Sequence, residues 1–119
     1  ARDAAVTLVQ SAAAAGREVR GFEADAAARA VLQRAGFGDA ILHRTGHSLG
    51  EEVHGNGAHL DDYETKDERR LLPGTGFTIE PGLYFPTFGV RTEINIAWGP
   101  AGPEVTGPRQ VSVVPLVGV

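Results

Sequence analysis

The apolar positions of this chain follow two periods. Near the N-terminus, Ala5, Leu8, Val9 and Ala12 recur at i, i+3, i+4 and i+7, the spacing of one helical face, within an alanine-rich stretch of high helix propensity. Gly16 is placed to end that helix. A second stripe, Ala28, Val31, Leu32 and Ala35, follows Glu23 and Asp25, whose charges suit the positive N-terminal end of a helix, and Gly36 provides its exit. Two helices packed through small side chains are therefore expected in the first third. Beyond Pro73-Gly74-Thr75-Gly76, a turn signal, the period falls to two. Phe77 and Ile79 share one face of a strand and Thr78 and Glu80 the other, before Pro81-Gly82 forces a turn or bulge. A second strand places Val90, Thr92, Ile94 and Ile96 on one face and Arg91, Glu93 and Asn95 on the opposite one. After Gly99-Pro100-Ala101-Gly102-Pro103, a third run from Val111 to Val114 is expected to close the sheet. Helices followed by strands predict an α+β architecture.

Between Gly38 and Gly76 periodicity is weak, and a long irregular stretch in a compact domain is usually functional. It contains His43-Arg44-Thr45-Gly46-His47-Ser48-Leu49-Gly50-Glu51-Glu52-Val53-His54, which concentrates three of the four histidines among glycines that allow close approach. The run Asp61 to Arg70 reads as solvated charged surface.

Composition narrows the function classes. At 119 residues the chain is one domain or part of one. A net charge of −4 with no basic run argues against nucleic acid as a partner. The absence of cysteine excludes disulfides, thiolate zinc sites and a cysteine nucleophile, and fits a cytoplasmic protein. No apolar run approaches the roughly 20 residues that span a bilayer, so no membrane partner is expected. The opening Ala1-Arg2-Asp3-Ala4-Ala5 lacks an initiator methionine and does not resemble a signal peptide, which suggests a fragment whose upstream part is missing.

His47, Glu80 and Glu93 together offer mixed nitrogen and oxygen donors of the kind that suit manganese, zinc, cobalt or iron. Seven residues separate His47 from His54, so this is not the zinc-protease helix in which ligands four apart share a face. Spacing alone leaves a second reading open: Glu93 pairs with Arg91, Glu80 sits at a sheet rim, and His47 is a loop histidine. No nucleophile elbow, phosphate loop or dinucleotide fingerprint competes.

Three motifs in order, Gly46-His47-Ser48-Leu49-Gly50-Glu51-Glu52-Val53-His54, Ile79-Glu80-Pro81-Gly82-Leu83-Tyr84 and Gly89-Val90-Arg91-Thr92-Glu93, resemble the pita-bread metallopeptidases. Their wording is similar to the proline-specific branch, aminopeptidase P and Xaa-Pro dipeptidase (prolidase). The resemblance covers nearly the whole chain. It implies that residues 1–119 are the C-terminal portion of a single catalytic domain, half of a pita-bread fold with two helices followed by an antiparallel sheet. It implies hydrolysis of the bond preceding proline, a peptide substrate with proline in second position, two divalent ions (manganese, with cobalt, zinc or iron as alternatives) and a homodimer. Carried over to this numbering, His47, Glu80 and Glu93 are metal ligands, with Glu93 bridging two ions. Glu80 also moves the proton from water toward the leaving nitrogen. His54 binds substrate and stabilises the tetrahedral intermediate, His43 shapes the proline pocket, and Arg91 contacts the carboxylates and substrate.

The family pattern also includes two aspartates from preceding strands, and no motif here matches them. Asp3, Asp25, Asp39, Asp61, Asp62 and Asp67 are left unassigned, and the fragment alone is expected to be inactive. Two rival readings share the fold: a metal-free binding module, and a creatinase-type hydrolase working without metal.

Overall fold

The computed structural model describes residues 1–118. Helix α1 spans Arg2–Ala14 and helix α2 spans Gly21–Arg34, followed by a short 3-10 turn, Gly38–Ala40. Gly16, at φ 66°, turns the chain out of α1 in the left-handed region that glycine adopts without strain. The strands are β1 (Ser48–Leu49), β2 (Gly76–Ile79), β3 (Gly82–Tyr84), β4 (Gly89–Arg91), β5 (Ile94–Gly99) and β6 (Gly102–Thr106). All pairings are antiparallel. A four-stranded sheet runs in the order β1-β2-β5-β6, and β3 and β4 form a separate ribbon. The α+β expectation holds.

One core joins the layers. Ala5, Val6, Val9 and Ala12 of α1 and Ala24 and Ala28 of α2 pack with Val19, Leu60 and Leu71 against Phe77, Ile79, Ile94 and Ile96 of the sheet. The alanines let α1, α2 and the sheet approach closely, and the alternation of β2 and β5 turns their branched side chains toward the helices.

Four expectations need correction. The stretch from Val90 to Ile96 is two strands, β4 and β5, separated at Thr92-Glu93. The cause is across the ladder: Pro81 has no N–H to donate, so the pairing of β2 with β5 lapses there and resumes as β3 with β4. The strand that completes the sheet is β6, not the run from Val111 to Val114, which lies outside any strand with its valines exposed. Gly99 pairs with Gly102, so the Gly/Pro cluster is a tight hairpin, and Pro103 is tolerated because β6 is an edge strand. The run from Asp61 to Arg70 is not uniformly solvated. Asp61 and Asp67 are buried because their carboxylates accept backbone N–H groups of the turns around them: Tyr63 and Glu64 for Asp61, His59 and Arg69 for Asp67. Finally, α2 buries Gly21, Ala24, Asp25 and Ala28, while Val31 and Leu32 are only half-buried and Ala35 is exposed. Glu23 does serve the helix start, accepting the Arg20 N–H at 2.8 Å, whereas Asp25 faces inward.

Candidate metal centre

The loop that leads into β1 is threaded tightly against β2. Gly46 lies so close to the neighbouring chain that an added Cβ would stand 2.0 Å from the Thr78 carbonyl oxygen. That contact lets His47 pair with Thr78: the His47 N–H donates to Thr78 Oγ1 at 2.9 Å, and the Thr78 N–H donates to the His47 carbonyl at 2.9 Å. The Glu80 N–H donates to the Thr45 carbonyl at 2.6 Å. Backbone hydrogen bonds thus fix His47 and Glu80 on adjacent segments.

The interruption at Pro81 places the second carboxylate. Ile79 pairs with Ile94 before the break and Gly82 with Arg91 beyond it, so register is kept and Glu80 stands across from Glu93. Side chains directly opposed on antiparallel strands lie about 5 Å apart at Cβ, and like charges there repel. Partial burial and the Glu80 carboxylate push the Glu93 carboxyl above its ordinary range. Arg91 offsets some of this charge, reaching Glu80 Oε1 from Nη1 at 3.2 Å. The pairing of Arg91 with Glu93 suggested by their spacing is therefore not the ion pair formed; Arg91 bonds Glu80.

His47 completes the group. It is 8% exposed, and its Nδ1–H donates to the Ser48 carbonyl at 2.9 Å, which leaves Nε2 turned toward Glu80 Oε2 at 3.4 Å. A ring lone pair aimed at a carboxylate oxygen needs a proton or a cation between them. Among the described residues, no group of three or more His, Asp or Glu side chains is arranged to hold a metal ion. By donor type the three residues suit a divalent cation: an imidazole nitrogen and two opposed carboxylates, on segments held by backbone pairing.

The other predicted residues surround this group. The His54 ring lies 4.3 Å from that of His47, on an exposed loop. His43 is committed at both nitrogens. Nδ1–H donates to the Arg44 carbonyl at 2.6 Å, so Nε2 accepts from the Tyr84 hydroxyl at 2.7 Å. Tyr84 in turn accepts from Arg91 Nε at 2.9 Å and Nη2 at 2.6 Å, which holds the guanidinium more firmly in its charged form. Tyr84 thus ties His43 to Arg91 and, through it, to Glu80.

Three further residues escaped sequence reasoning. Asp25 is fully buried under the histidine loop. His59 accepts the Ser48 N–H at Nδ1, 2.9 Å away, immediately behind His47. Burial and the nearby arginines Arg44 and Arg69 lower the His59 pKa, consistent with that acceptor role. Asp67 accepts the His59 N–H at 2.8 Å. For His59 and Asp67 the only local signal was imidazole or acidic character inside a stretch of weak periodicity, and for Asp25 a charge near a helix start that read as exposed.

This arrangement has known counterparts. The profile of metallopeptidase family M24 matches residues 2–98. The chain belongs to that family. Metallopeptidases of family M24 generally use divalent metal ions. The Mycobacterium tuberculosis protein named "Probable dipeptidase PepE" is 40% identical over 98 residues, covering 79% of this chain and 25% of that protein. The solved dipeptidase PepE of Mycobacterium ulcerans superposes with a TM-score of 0.76 at 35% identity, over 97% of this chain and 29% of that one. An Xaa-Pro dipeptidase from Bacillus anthracis gives a TM-score of 0.69 at 34% identity, over 82% of this chain and 27% of that one. The chain therefore spans about a quarter of the length of these relatives, and its two helices followed by an antiparallel sheet are part of their pita-bread fold. No helix among the described residues is long and apolar enough to cross a membrane.

Proposed function

We propose that this chain is the C-terminal portion of the catalytic domain of a cytoplasmic, homodimeric M24 peptidase that hydrolyses the bond preceding proline. The observation that carries this reading is the opposition of Glu80 and Glu93 at the Pro81 break, with His47 Nε2 turned onto Glu80. His47, Glu80 and Glu93 would hold divalent metal, with Glu93 shared between two ions and the remaining carboxylate ligands supplied from outside these 119 residues. Manganese suits the donors, as do cobalt, zinc and iron. Bound there, the metal supplies Lewis-acid activation of a water and polarisation of the scissile carbonyl.

The side chains of this chain do the rest. Glu80, with Oε1 bonded to Arg91 and Oε2 beside His47, is the carboxylate placed to carry a proton from water to the leaving nitrogen. His54, exposed beside His47, donates to the substrate carbonyl and to the oxyanion of the tetrahedral intermediate. His43 is a wall, since both its nitrogens are occupied, and with the Tyr84 ring inclined to it at 63° it forms an aromatic corner for a proline ring. Proline's tertiary amide brings no N–H to the site, so selection by shape suffices. The name of the Bacillus anthracis relative supports the choice of substrate.

The test is metal content by mass spectrometry and cleavage of a peptide with proline in second position, using the full-length protein that carries this chain. His47→Ala is expected to lose metal and activity together, whereas His54→Ala keeps the metal and loses turnover. Wild-type metal content in His47→Ala, or metal loss in His54→Ala, would refute the ligand assignment.

A further inference from the structure

Asp25 is a fully buried carboxylate that the proposed chemistry does not use. It lies on the inward face of α2 among Gly21, Ala24 and Ala28, a position otherwise lined by small apolar residues. Burying a carboxylate costs several kcal/mol unless every oxygen is well bonded. Here every oxygen is bonded. Oδ1 accepts the Thr45 N–H at 2.8 Å, and Oδ2 accepts the Asp62 N–H at 3.1 Å together with Arg29 Nε at 3.0 Å and Nη2 at 2.8 Å.

What those bonds reach matters more than their number. Thr45 stands midway between His43 and His47, and its N–H is shared between Asp25 and the Leu60 carbonyl, 3.1 Å away. Its own carbonyl accepts the Glu80 N–H. One residue thus sets where the chain enters His47 and where Glu80 is hung. The Asp62 N–H on the other oxygen ties the segment leaving Leu60 to the same point. Arg29, one helical turn from Asp25, orients the carboxylate through two N–H donors.

The geometry points to Asp25 as a positioning residue, steered by Arg29, that sets the separation of His47 from Glu80 through Thr45 and thereby the affinity of the centre for a divalent ion. This rests on the reading of His47 and Glu80 as metal ligands, and the two can fail separately. In Asp25→Asn the side chain keeps its volume, but one oxygen becomes an NH2 group facing donors from Arg29 and Asp62 or from Thr45.

The experiment uses the full-length protein that carries this chain. Mn2+ affinity is measured by electron paramagnetic resonance titration, and the ring-nitrogen signals of His47 are recorded by NMR in metal-free protein. Val9→Ala is the control, a cavity in the apolar core, of which Thr45 and Glu80 are not members. Asp25→Asn is expected to weaken Mn2+ binding at least tenfold and to move the His47 signals, while Val9→Ala lowers the melting temperature with Mn2+ affinity within twofold of wild type. Should Asp25→Asn fail to fold, Arg29→Met carries the test, with a threefold or larger loss of affinity expected. Unmoved His47 signals and affinity within twofold of wild type in the folded variant would overturn the positioning role. If His47→Ala binds Mn2+ as wild type does, the ligand reading falls, and a shift of the His47 signals in metal-free Asp25→Asn still decides the positioning role.

Discussion

Asp67 anchors the segment behind the proposed centre, and its protonation gives a measurable signature. The residue is 6% exposed. Oδ1 accepts the Arg69 N–H and Nε, each at 3.0 Å, and Oδ2 accepts the His59 N–H at 2.8 Å and Arg69 Nη2 at 2.6 Å. Burial pushes the carboxyl pKa up, but these donors outweigh it and hold the group at about 2 against an ordinary 3.8. At 1.36 kcal/mol per pKa unit, the ionised form stabilises the fold by about 2 kcal/mol at pH 7. Because the folded-state pKa is depressed, that contribution is complete well above the unfolded pKa and is lost as pH falls through the folded one. At pH 3, between the two, about 1 kcal/mol remains. Asp67→Asn cannot titrate, so its stability deficit relative to wild type should shrink by about 1 kcal/mol between pH 7 and pH 3. Urea denaturation followed by circular dichroism at both pH values measures this as a difference in midpoint that narrows on acidification. A deficit that is the same at both pH values would show that Asp67 acts through shape and not charge, and would refute the reasoning.

Two further substitutions probe the frame of the site. Gly46→Ala would place a methyl group 2.0 Å from the Thr78 carbonyl oxygen, a backbone atom that cannot step aside, so a loss of about 3 kcal/mol or more and a sharp fall in soluble yield are expected. Tyr84→Phe removes the hydroxyl shared by His43 Nε2 and Arg91; turnover should fall about tenfold as Arg91 loosens from Glu80. Stability in that variant should stay within about 1 kcal/mol of wild type, because Arg91 is exposed and regains water. Steady-state kinetics and thermal melts separate the two effects.

Which parts of this site could be read from sequence follows from how far each depends on distant partners. The helical stripe of α1 and the alternation of β2 are local periods, imposed by 3.6 residues per turn and by the strand pleat, and both were legible. The motif residues His47, Glu80 and Glu93 were recognisable from their wording. Why Glu80 and Glu93 oppose each other was not. Pro81 announces a break in the ladder, but that pairing resumes beyond it in the same register depends on the whole hairpin from Gly76 to Gly99. The same limit hid Asp25 and His59. Helix periodicity marks a carboxylate as polar and places it outside, and it takes the Thr45 and Asp62 N–H groups, 20 and 37 residues away, together with Arg29 to make burial favourable. Val111 to Val114 failed in the opposite direction. Its β propensity is high, yet the edge it would have joined is already occupied by β6, whose two-residue turn closes locally, whereas the later run would need a longer and entropically costlier closure. Local pattern chose the side chains, and antiparallel register, with one proline at its break, set two carboxylates that repel each other face to face beside an imidazole.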